Sequence, residues 1–112
     1  MHEYQVTLEI IRIAEKHASE HNAAAVKQIN LVVGEESGYV GDSVRLYFDL
    51  IAEGTLCEDA ELVIETVKPK LRCEACGKLF ERKPFSFTCP GCGGGARPTE
   101  IGREFFVKSV EV

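Results

Sequence analysis

No stretch of eighteen consecutive apolar residues occurs in these 112 residues, which excludes a membrane-spanning helix. The opening decapeptide, MHEYQVTLEI, lacks a basic segment followed by an apolar one, so a secretory signal is not expected. Basic residues are in the minority. Thirteen Lys and Arg face eighteen Asp and Glu, and the net charge of −5 speaks against a chain built mainly to hold nucleic acid. There are no internal repeats, no low-complexity tract, and no Walker-type lysine after Gly34 and Gly38, so nucleotide binding is not expected. What remains is one domain's length of chain, 45 % apolar, able to bury a modest core.

Helical and strand periods alternate along it. From Glu3 to His21, Val6, Ile10, Ile13 and His17 recur at helical spacing, widened by Ile11, Ala14 and Ala18, with Asn22 as the stop. Ile29, Leu31 and Val33 alternate through a strand that ends at Gly34. Asp42 or Ser43 is placed to cap a second helix with the stripe Val44, Tyr47, Phe48 and Ile51, closed by Gly54. Leu62–Val67 reads as a strand stopped by Pro69, and residues 104–112 are rich in β-formers and return to the same sheet. The expected fold is α+β: a small three-stranded sheet with two helices, plus an inserted zinc-ribbon-like module. The boundaries are 1–68 with 104–112 for the α+β domain and 69–103 for the insert.

Five cysteines dominate the chemistry. Four stand as Cys73-x-x-Cys76-Gly77 and Cys89-x-x-Cys92-Gly93, with twelve residues between the pairs. A two-residue spacer turns the chain so that both sulfurs of a pair face one ion, and the following glycine allows positive φ. Two such knuckles on a short hairpin make a tetrahedral sulfur cage, for which zinc is the best match and iron the main competitor. A disulfide framework fits poorly with an odd cysteine count and no export signal. A reducing, cytoplasmic compartment is expected instead. Four thiolates fill the coordination shell and leave no place for substrate, so this ion is expected to hold structure and not to catalyse. Residues 69–98 carry six basic side chains against two acidic. With Phe85 and Phe87 beside Lys83, they keep open a zinc-ribbon nucleic-acid-binding or regulatory protein as the alternative. A thiol oxidoreductase is a third reading.

Met1-His2-Glu3 opens the chain. The α-amine of Met1, the amide nitrogen of His2 and its imidazole can chelate one ion in fused rings, a donor set that suits square-planar Ni(II) or Cu(II). An ordinary frayed terminus is the competing reading.

Taken together, the MHE start, Gly34-Glu35…Ser37-Gly38, Gly54-Thr55-Leu56, the two Cys-x-x-Cys pairs and the closing Lys108-Ser109-Val110-Glu111-Val112 resemble the HypA/HybF family over essentially the whole chain. These are nickel-delivery proteins of [NiFe]-hydrogenase maturation. The resemblance implies a nickel metallochaperone that is not an enzyme, with nickel held by Met1, His2 and Glu3 and structural zinc held by Cys73, Cys76, Cys89 and Cys92. It implies the maturation GTPase HypB and the [NiFe]-hydrogenase large subunit as partners, no nucleic acid, no membrane, and a monomer or weak homodimer. The linker between the cysteine pairs contains no histidine, so no imidazole there can serve nickel.

Other residues suggest chemistry with less behind it. His17 and His21 are four apart on a helix and can grip one metal, but no third ligand is evident. Cys57 reads as a packing residue, and Glu35 and Glu36 as a solvated loop.

Overall fold

The first helix, α1 (Glu3–Glu20), buries Glu3, Thr7, Ile10, Ile11, Ala14 and Ala18. That face is rotated from the expected one, since Ile13 is 43 % exposed while Thr7, Ala14 and Ala18 are sealed. Two alanines let the helix axis approach its neighbours closely. Thr7 can follow them inward because its hydroxyl donates to the Glu3 carbonyl, satisfying the buried oxygen. Asn22 ends the helix as expected, with φ 54° in the left-handed region and the Ala23 N–H returning to the Ala18 carbonyl at 2.8 Å. The computed structural model describes residues 3–82 and 88–112.

Strand β1 (Gln28–Gly34) is the centre of a three-stranded sheet ordered β2-β1-β6. It pairs in parallel with β2 (Glu61–Val67) and antiparallel with β6 (Phe105–Glu111), the second ladder shifting register between Asn30 and Leu31. Parallel neighbours need a crossover, and α2 (Gly41–Ile51) supplies it. The core joins Ile10, Ile11 and Ala14 of α1 to Ile29, Leu31 and Val33 of β1 and to Val44 and Phe48 of α2. Neither expected residue caps α2. Its N-cap is Val40, without a side-chain cap, because the helix begins at Gly41 and takes Asp42 into its first turn. There a carboxylate still favours the helix by its charge.

The insert folds as a second sheet, β4-β3-β5, from β3 (Lys70–Cys73), β4 (Leu79–Glu81) and β5 (Ala96–Pro98), all antiparallel. Its buried cluster is Leu71, Cys73, Phe80 and Cys89, with Ala96 packed against it. Four such residues are too few to hold a sheet by hydrophobic burial. Among the described residues no helix is long and apolar enough to cross a membrane.

Candidate metal centres

Cys73 ends β3, and the turn after it carries Cys76. Cys89 and Cys92 occupy a second turn just before β5. The two knuckles are built alike. The carbonyl of the first cysteine accepts the N–H of the glycine four residues on, Gly77 to Cys73 at 3.0 Å and Gly93 to Cys89 at 2.9 Å. Gly77 and Gly93 have φ 77° and 75°, a conformation L side chains rarely adopt. A backbone N–H also points at the first sulfur of each pair, Cys76 to Cys73 Sγ at 3.4 Å and Gly91 to Cys89 Sγ at 3.3 Å.

These turns bring the four sulfurs within 4.8 Å of one another. Cys73 Sγ lies 3.4 Å from Cys92 Sγ, and Cys76 Sγ lies 3.7 Å from Cys89 Sγ. Tetrahedral zinc with bonds of about 2.3 Å needs sulfur–sulfur edges of about 3.8 Å, so the cage fits the ion closely. Among the described residues this is the one group of three or more ligands close enough to share an ion. The N–H groups of Cys76 and then Ala75, aided by the Cys92 and Cys76 thiols and opposed by burial, bring Cys73 down to about 6. Those of Cys92 and Gly91 likewise lower Cys89. The Gly94 N–H pulls Cys92 down, yet the surrounding Cys73 and Cys76 sulfurs outweigh it and push Cys92 up to about 12. Sulfurs packed this tightly cannot all ionise alone; a divalent cation removes the conflict. The site is suited to structural zinc, with two ligands buried and two, Cys76 and Cys92, exposed.

At the other end, Met1 and His2 lie outside the described residues. Glu3 opens α1 and is 6 % exposed, its Oε2 accepting the Val40 N–H at 3.2 Å. Val40 is the N-cap of α2, so the carboxylate ties the start of one helix to the start of the other. Edge-on contact between Tyr4 and Tyr47, with centroids 5.7 Å apart, strengthens the join. Nothing in the sequence marks Val40 for this role, because only its backbone is used.

Cys57 is fully buried, and burial first, then the Glu15 carboxylate, push its thiol up to about 11. It packs and is no nucleophile. The loop acids Glu35 and Glu36 are exposed, as expected. Lys83, Phe85 and Phe87, on which the nucleic-acid reading rests, lie outside the described residues.

Comparison with known proteins agrees over the full length. Residues 1–112 match the family model described as "Hydrogenase/urease nickel incorporation, metallochaperone, hypA". Similar relatives include the hydrogenase maturation factor HypA of Caldanaerobacter subterraneus subsp. tengcongensis, 39 % identical over all of this chain and 99 % of its own. That of Aquifex aeolicus is 34 % identical, over all of this chain and 97 % of its own. A solution structure titled as HypA protein superposes with a TM-score of 0.72 at 28 % identity, covering 99 % of this chain and 95 % of the other. The Ni metallochaperone HypA from Helicobacter pylori gives 0.65 at 29 %, covering 99 % and 97 %.

Proposed function

The chain belongs to the HypA family, and on that premise we propose that it is a nickel metallochaperone that binds Ni(II) at its N-terminus and delivers it during [NiFe]-hydrogenase maturation. The family match over residues 1–112 carries this reading. Met1, His2 and Glu3 are the proposed nickel ligands, and Cys73, Cys76, Cys89 and Cys92 the ligands of structural zinc. Residues 1–68 with 104–112 form the nickel-binding unit, and residues 69–103 the zinc-binding one.

The Met1 α-amine, the His2 amide and the His2 imidazole make fused chelate rings around one ion. Glu3 adds its backbone amide. Its carboxylate is already engaged with Val40, whereas the first N–H groups of a helix have no intrahelical acceptor. A deprotonated amide at that position also gains from the positive end of the α1 dipole. All these nitrogens must lose or lack protons to bind, so nickel affinity falls as pH falls. A chelate of separate nitrogen donors can pass its ion to an acceptor by ligand exchange, one donor at a time. The protein does this as a carrier and not as an enzyme, in the cytoplasm, with the GTPase HypB and the hydrogenase large subunit as partners.

The test is a Ni(II) titration of zinc-loaded protein with a native N-terminus against a copy carrying one extra residue before Met1. The native form is expected, from the chelate geometry, to bind about one equivalent of Ni(II) more than the extended copy. Equal binding by both removes the N-terminal site.

A further inference from the structure

Besides His2 the chain has two histidines, His17 in the last turn of α1 and His21 in the turn just past its end at Glu20. Four residues apart, they share one helix face. Their ring centroids are 4.3 Å apart with planes tilted by 31°. His21 Nδ1 lies 2.9 Å from the His17 carbonyl oxygen. A carbonyl only accepts, so that nitrogen carries a proton, and in the neutral ring the lone pair is then on Nε2. Metal-ligating histidines are commonly fixed this way, one nitrogen donating to a carbonyl and the other facing the ion. His21 is exposed and His17 half-buried, so this face is open to solvent.

We propose that His17 and His21 form a second metal site, a bidentate pair of imidazoles for a divalent first-row cation such as Ni(II) or Cu(II). The His17 ring has a broad χ2 preference and can turn to aim its Nε2 at the ion held by His21. Among the described residues no third protein ligand stands close enough to complete the shell, so water fills the remaining positions and the ion exchanges readily. Affinity rises from Ni(II) to Cu(II), the usual order for nitrogen donors. By the rise of an α-helix His17 lies about 21 Å from Glu3 and His21 farther still. The pair therefore cannot share an ion with the proposed N-terminal site and is independent of it.

The experiment uses zinc-loaded full-length His2→Ala protein titrated with nickel chloride, followed by amide NMR and by competition with a chromophoric chelator. Ni(II) held by two imidazoles and water is paramagnetic, so amide signals at the end of α1 and the turn after it are expected to broaden. His17→Gln and His21→Gln should each weaken binding roughly 100-fold, the loss of one arm of a bivalent ligand. Ser19→His combined with His21→Ser keeps the histidine count but turns the rings away from each other, and should lose binding equally. Circular dichroism verifies that each variant keeps its helix. Broadening centred on the cysteines or elsewhere, or unchanged affinity in either single variant or in the positional control, overturns the proposal.

Discussion

Gly34 and Gly102 meet backbone to backbone. A Cβ on Gly34 would overlap the Gly102 carbonyl and stand 2.8 Å from the Arg103 nitrogen, and one on Gly102 would stand 2.6 Å from Pro69 Cα. The contact joins the end of β1 to both connections of the insert. The Gly34 N–H bonds the Glu104 carbonyl at 2.6 Å, Glu35 bonds Val67 at 2.9 Å, and Glu36 bonds Gly102 at 2.7 Å. The zinc-bearing sheet is thus clamped to the α+β sheet by main chain, with no space for a side chain.

Gly34→Ala should therefore cost about 2–3 kcal/mol in urea unfolding, the upper range for overpacking against backbone. It should also weaken amide protection at Glu36 and at position 34 itself, whose N–H groups donate across this contact. Wild-type stability in this variant would mean that the two connections can separate freely.

Chelation of the zinc should melt the insert and spare the rest. Its own buried cluster is four residues, whereas the α+β core is separate and larger. Hydrogen exchange after chelation is expected to lose protection in β3 to β5 while β1 and α1 keep theirs. Cys73→Ser should act in the same way.

Zinc affinity should steepen its fall with acid below about pH 6. Cys73, at about 6, is a thiolate at neutrality, so zinc displaces no proton from it there; below that value it becomes one more proton to displace. Cys92, at about 12, must release its proton throughout. Chelator competition across pH 5–8 measures the effect.

Glu3→Gln keeps an oxygen for the Val40 N–H and should leave nickel affinity within a few-fold. Glu3→Ala removes the acceptor and should cost about 1 kcal/mol of stability, a typical hydrogen bond. Loss of nickel binding in Glu3→Gln alone would make the carboxylate itself a ligand.

Much of this architecture is local, and local features are legible in sequence. The cysteine knuckles follow from spacing and glycine alone. The order helix, strand, helix, strand, insert, strand follows from the change of hydrophobic period. The rotation of α1 is not local: Ala14 and Ala18 fit a periodic stripe in several phases, and only the closeness of the packed sheet selects one. Val40 was hidden because only its backbone serves, its carbonyl accepting the Val44 N–H at the start of α2 and its N–H donating to Glu3, 37 residues away. Gly34 and Gly102 are both visible as glycines, yet their meeting depends on how β6 returns beside β1.

On the proposed reading one ion is held by sulfur and another by nitrogen. X-ray absorption at the nickel edge of zinc-loaded protein carrying one equivalent of Ni(II) tests it directly. A first shell of nitrogen and oxygen only, with the zinc edge still showing four sulfurs, is the expected result. Sulfur in the nickel shell, or zinc displaced from its cysteines, would contradict it.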